Sequence, residues 1–169
     1  DGGYLISNST LSGNKAPAGG AMRNVDGGAG LFNTTVAYNV ATDGAGLLNV
    51  NSSASFANTI LSDQVGDNCA NVNGTFVSLG HNLDSGSTCL APAVVQATDF
   101  PLGNAVLGPL QNNGGPTATH ALLTGSNALE NGDNELCSQG NVNSVDQRGL
   151  ARPQGIVCDI GAYEFQYSG

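Results

Sequence analysis

Asp1-Gly2-Gly3-Tyr4-Leu5-Ile6-Ser7-Asn8-Ser9-Thr10-Leu11 is followed, 25 residues on, by Asp26-Gly27-Gly28-Ala29-Gly30-Leu31-Phe32-Asn33-Thr34-Thr35-Val36, and again by Asn51-Ser52-Ser53-Ala54-Ser55-Phe56-Ala57-Asn58-Thr59-Ile60-Leu61. The three blocks align without a gap. Ile6, Leu31 and Phe56 form one apolar column, and Leu11, Val36 and Leu61 another, beside Thr10, Thr35 and Ile60. Asn8, Asn33 and Asn58 align, Asn14, Asn39 and Gln64 stay polar, and Asn24 matches Asn49. Met22, Leu47 and Val72 make a further apolar column at the same shift. A period of about 25 residues built from short apolar runs and Gly/Asn turns is the signature of stacked solenoid rungs. One rung cannot bury its apolar side alone. Stacking at about 4.8 Å places like residues above one another and makes the core continuous. A leucine-rich repeat has similar length, but its Leu-x-x-Leu-x-Leu pattern is missing.

The predicted fold class is therefore all-β: a right-handed parallel β-helix with rungs of about 25 residues and a disulfide-stapled C-terminal cap. The repeat decays after about residue 62. One continuous domain is expected, with regular rungs over 1–62, an irregular rung or hairpin and a Pro-bearing connector over 63–110, and the cap over 111–169. Short strands are expected at Ala118–Leu123 and Ala162–Phe165. Asn8, Asn33 and Asn58 read as a turn column whose amides hydrogen-bond up and down the axis.

Composition agrees. Only 10% of the 169 residues are charged, Gly numbers 25, and Trp is absent. Strong helix formers are scarce, whereas 40% hydrophobic residues in short runs argue against disorder. The net charge is −9, and the basic residues are Lys15, Arg23, Arg148 and Arg152. Nucleic-acid binding needs a clustered cationic surface, which these residues do not supply. Docking on anionic lipid is disfavoured for the same reason. No stretch reaches the apolar length of a membrane span, and no signal peptide precedes Asp1, so the chain reads as a mature product or a part of a longer one. Four cysteines fall in two local groups, Cys69 with Cys89 and Cys137 with Cys158, without zinc-ligand spacing. Three connectivities satisfy four cysteines. Local pairing closes the shortest loops and is the expectation, in an oxidising compartment.

Several C-terminal runs carry a family resemblance. They are Leu107-Gly108-Pro109-Leu110-Gln111-Asn112-Asn113-Gly114-Gly115-Pro116-Thr117 with Thr119-His120-Ala121-Leu122-Leu123, then Gly125-Ser126-Asn127-Ala128-Leu129, Asp146-Gln147-Arg148-Gly149-Leu150-Ala151-Arg152-Pro153, and Cys158-Asp159-Ile160-Gly161-Ala162-Tyr163-Glu164. With the Asn-Ser-Thr rungs upstream and Ser78-Leu79-Gly80-His81-Asn82-Leu83, the chain resembles the choice-of-anchor Q domain proteins. That resemblance implies a bacterial surface or secreted right-handed β-helix, adhesin-like, with no single activity. Gly125-Ser126-Asn127-Ala128-Leu129 departs from the family's usual Gly-Ser-Pro-Ala-Ile, and the family's anchor is not expected within the residues ending Tyr167-Ser168-Gly169.

Candidate sites follow from residue type. Asp146, Arg148, Arg152, Asp159 and Glu164 are the densest charged set and are expected to form an ion-pair network tying the terminal segment onto the last rung. Asp1, Asp26 and Asn51 share a column, where stacked carboxylates would repel and a calcium ladder would relieve them. That calcium site is the single cofactor candidate, and no other metal site is expected. Asn8, Asn33, Asn51 and Asn73 each begin an Asn-x-Ser/Thr sequon, of which Asn51 and Asn73 suit glycosylation, since Asn8 and Asn33 fall in the ladder column. His120 reads as a satisfied core or cap residue, and His81 flanks a turn. A β-helix lyase would need a stacked basic residue near carboxylates, but Lys15 maps onto Val40 and Arg23 onto Leu48. The chain is thus expected not to be an enzyme. The function expected is an extracellular structural or adhesive β-helix of a bacterial surface or matrix, self-assembling into filaments through its open N-terminal rung. Glycans or matrix are the expected partners, with neither nucleic acid nor membrane insertion. The alternative is a carbohydrate-active β-helix enzyme or glycan-binding accessory module.

Overall fold

The structure, a computed structural model, describes residues 3–167; Asp1 of the acidic column lies outside the described residues. The chain winds through about three turns of a parallel β-solenoid whose regular coils are about 25 residues long. The first face stacks Gly3–Ser7, Gly28–Phe32, Ser53–Ala57 and Thr75–Ser78. Its register sets Ile6 on Leu31 and Leu31 on Phe56, so the column read from the repeat is the physical ladder. The second face stacks Thr10–Ser12, Thr35–Ala37, Ile60–Ser62, Leu83–Asp84 and Phe100–Pro101. The third stacks Met22–Val25, Leu47–Val50 and Cys69–Val72. Between the faces lie Leu31, Val36, Leu47, Phe56 and Leu61, all fully buried.

Each corner is one residue in the left-handed region. Asn8, Asn33 and Asn58 have φ of 45°, 45° and 47°, and Asp26, Asn51 and Asn73 have 52°, 49° and 52°. A single residue at positive φ redirects a strand without a loop, and Asn and Asp tolerate it because their short polar side chains bond locally. The third corner holds Gly13, Asp63 and, against this preference, Tyr38 at φ 57°.

The repeat shortens rather than dissolves. Met22 pairs with Leu47 across 25 residues, but Leu47 pairs with Cys69, and Val50, not Leu47, stands over Val72. The apolar column assigned to Val72 is therefore corrected by three residues. The loss falls in the turn around Gly66, whose φ is 116° and where a Cβ would stand 2.3 Å from the Ala41 carbonyl oxygen. Residues 63–90 are not a hairpin. Cys69–Val72, Thr75–Ser78 and Leu83–Asp84 all continue the parallel ladders.

The C-terminal segment lies along the flank of the coils. The antiparallel strands Leu107–Gln111 and Thr119–Leu122, the short helix Asn134–Ser138 and an irregular run complete it. Ile60 and Leu83 of the second face pack with Ala105, Leu122, Ala128 and Ile160 in a second core. Gly161 N donates to the Asn58 carbonyl and Ala162 N to Thr35 Oγ1. Farther along, Ser7 Oγ donates to the Asn141 carbonyl, in the first coil. The expected tie to the last rung is thus a tie to the side of every regular coil. Ala162–Phe165 form no strand, because their amides are held by side chains: Glu164 N by Asp146, and Phe165 N by Asp159.

Candidate functional site

The charged set foreseen at 146–164 is one buried cluster. Asp146 Oδ2 accepts from Arg148 Nε at 2.8 Å and pairs with Nη2 at 2.7 Å. Arg148 lies 3.6 Å above the centre of the Tyr163 ring and donates to the Glu164 and Asn113 carbonyls. Arg152 Nη1 meets Glu164 Oε2 at 3.1 Å and the Asp159 carbonyl at 3.0 Å, while Nη2 donates to the Gly161 carbonyl. Asp159 takes the Glu130 amide on one oxygen and the Phe165 amide on the other. Glu164 takes the Gln154 and Asp159 amides.

All five side chains are buried. Burial pushes the Asp159 carboxyl up to about 7, against the two amide bonds that favour its ionised form. Burial also raises Glu164 and lowers Arg152, the latter opposed by Glu164, Asp146 and Asp159. Three carboxyls face two guanidinium groups, so the cluster carries one acid more than it has cations. Fork-shaped Arg groups satisfy loop carbonyls and carboxylates at once. The arrangement is a cross-link between loops, and chemistry on a substrate would require breaking it.

The disulfides join Cys69 to Cys89 and Cys137 to Cys158. The first anchors residues 85–99 at the end of the stack, where Cys89 and Leu90 are buried and their amides donate to Asp84 Oδ2. Asp84 also receives Asn68 Nδ2 and the Gly86 amide, a buried carboxylate held by four donors. Sequence reasoning passed over it, because an Asp beside Ser85 and Gly86 reads as an ordinary turn residue.

The Asn8, Asn33 and Asn58 column is stacked, but its amides do not bond one another. They turn outward: Asn8 Nδ2 donates to the Val142 carbonyl, Asn33 Nδ2 faces Cys137 Sγ at 3.1 Å, and Asn58 donates to the Asp133 carbonyl while accepting its amide. The expected ladder at these positions is corrected because the flank segment competes for the same groups. True ladders run elsewhere. Asn24 Nδ2 donates to Asn49 Oδ1 at 2.8 Å, and Asn49 Nδ2 to Asn71 Oδ1 at 2.9 Å. Asn14 and Asn39 amides donate to Asn39 Oδ1 and Gln64 Oε1. Both columns were visible as aligned polar residues, but nothing marked Asn24, Asn39 and Asn49 as buried.

Asp26 and Asn51 occupy one exposed corner, continued by Asn73 in the third coil. Among the described residues no group of three His, Cys, Asp or Glu is placed to hold a metal ion. Asn51 and Asn73 are open to solvent, whereas Asn33 is fully buried beneath the flank segment. His81 Nδ1 lies 2.8 Å from the Asn131 carbonyl, and His120 is buried between Ser12 and Gly108.

No family model, curated sequence or solved structure matches this chain. Fold and site together define a parallel β-solenoid buttressed along one flank by a charge-linked, disulfide-closed segment. Two disulfides place it in a non-reducing environment. No helix of the described residues is long and apolar enough to cross a membrane.

Proposed function

We propose that this chain is an extracellular structural and adhesive module of a bacterial surface or matrix, lengthening by coil-on-coil stacking. The observation that carries this reading is the first coil. Among the described residues its three strands each stand at the edge of their sheet, and Tyr4 and Leu5 are 46% and 51% exposed. A strand edge is a template for another strand, and a solenoid offers the same edge geometry to any coil of its kind. Charge supports a head-to-tail arrangement. Lys15 and Arg23 face solvent in the first coil, whereas Asp63 and Asp67 face solvent in the third. A heterologous contact of this kind propagates as a filament. The polar corner columns then repeat along the fibre as a surface for glycans or matrix.

Negative-stain electron microscopy and analytical ultracentrifugation at rising protein concentration test the reading. Filaments or end-to-end oligomers that shorten at high salt are the expected result. A chain that stays monomeric at high concentration, or one that cleaves oligosaccharides, would overturn it.

A further inference from the structure

We propose that Ser12 is a nucleophilic serine, activated by His120, that accepts an acyl group from a carboxylic ester. This goes beyond the structural role and does not depend on it. Ser12 ends a strand of the first coil, and His120 lies 108 residues later in the C-terminal hairpin. The flank segment alone brings them together. Ser12 Oγ is 2.8 Å from His120 Nε2, and Nδ1 is 2.7 Å from the Gly108 carbonyl oxygen. A carbonyl can only accept, so the proton sits on Nδ1, and Nε2 presents its lone pair to the Ser12 hydroxyl. Hydroxyl, base and a third group that fixes the tautomer are the parts of an activated nucleophile. Here a backbone carbonyl takes the place usually held by a carboxylate.

The surroundings suit the assignment. His120 is 3% exposed and packs against the Tyr38 ring at 5.1 Å between centres. Ser12 is only half-buried. The following residue, Gly13, is exposed, and beyond its chain neighbours nothing lies within 4 Å of where a Cβ would stand. Tyr38, 40% exposed and at positive φ, sets an exposed ring against the base. Strained backbone of this kind gathers at functional positions. In the step, Ser12 Oγ bonds to the carbonyl carbon and the ester C–O bond breaks. The serine proton passes through Nε2 to the departing alkoxide, leaving a neutral alcohol and acyl-Ser12.

The full chain is treated with a fluorophosphonate, where the Oγ–P bond forms and fluoride leaves, and in parallel with a p-nitrophenyl ester. Intact mass and peptide mapping locate the adducts. One adduct on Ser12 is expected, formed at least about tenfold faster than on exposed Ser138 and slowed roughly 100-fold in His120→Gln. The melting temperature of that variant is measured alongside. Because the wild-type comparison of Ser12 with Ser138 needs no variant, it decides alone if His120→Gln unfolds. Equal labelling of the two serines, no adduct on Ser12, or undiminished labelling in a folded His120→Gln would overturn the assignment.

Discussion

Asn49 is wholly buried in the third face, bonded to Asn24 on one side and Asn71 on the other, with the Ser52 carbonyl as a further acceptor. Its replacement takes one bond each from the buried Asn24 amide, from Asn71 Oδ1 and from the Ser52 carbonyl, and breaks the ladder. Asn49→Ala should therefore cost roughly 2–3 kcal/mol in denaturant unfolding, whereas Thr42→Ala, at an exposed position, should cost well under half of that. Asp159 sets a pH dependence of unusual sign. The folded chain holds its proton up to about 7, while the unfolded chain releases it near 3.8. In that interval the native state binds more protons, so this group's contribution to stability is full below about pH 4, declines as pH rises and is flat above about pH 7. Buried Glu164, also raised, adds in the same direction. The melting temperature should fall between about pH 4 and pH 7, and Asp159→Asn should flatten that slope. An unchanged slope in the variant would place the effect elsewhere. Arg152→Met removes the cation from Glu164 and three carbonyls, and should cost roughly 3–5 kcal/mol.

The elements are short, and few would persist alone. Strands of two to five residues are held by the ladders, on both sides in the inner coils, and the corner residues let each face begin where the last one ended. The two disulfides close loops of similar size, with separations of 20 and 21 residues. In the chain-entropy picture each contributes roughly 3 kcal/mol, or roughly 6–12 °C in melting temperature for a chain of this size. Their local consequences should differ. Losing Cys69–Cys89 frees the residues that fill the end of the stack, beside Phe56 and Phe76. Losing Cys137–Cys158 loosens the flank segment over Asn33 and Asn58. Hydrogen exchange on the double Cys→Ala variant of each pair should show protection lost at Cys69–Val72 in the first case and at Asn33 and Asn58 in the second.

At the scale of the molecule, a solenoid is quasi-one-dimensional and tends to unfold coil by coil. Here the flank segment contacts the first coil at Ser7, Asn8, Thr10 and Ser12, the second at Asn33 and Thr35, and the third at Asn58 and Ile60. It acts as a splint across the stacking direction. Calorimetry of the oxidised chain should show one cooperative transition. With Cys137–Cys158 removed, a second, earlier transition should separate, and a single unaltered peak would show that the splint does not couple the coils.

The stacking of Ile6 on Leu31 and Phe56, the coil length and the parallel solenoid were legible in the sequence, because a parallel ladder repeats each residue's environment at a fixed period. The charged cluster was legible as a cluster, since Arg and carboxylates crowd into so few residues of a chain this poor in charge. What the period could not carry was decided in three dimensions. The missing three residues near Gly66 moved Cys69 under Leu47, the non-repeating flank segment captured Asn8, Asn33 and Asn58, and the hairpin set His120 on Ser12. A repeat specifies contacts at constant separation. Contacts between the repeat and a segment 75 to 134 residues away have no such period, and only the packed tertiary structure fixes them.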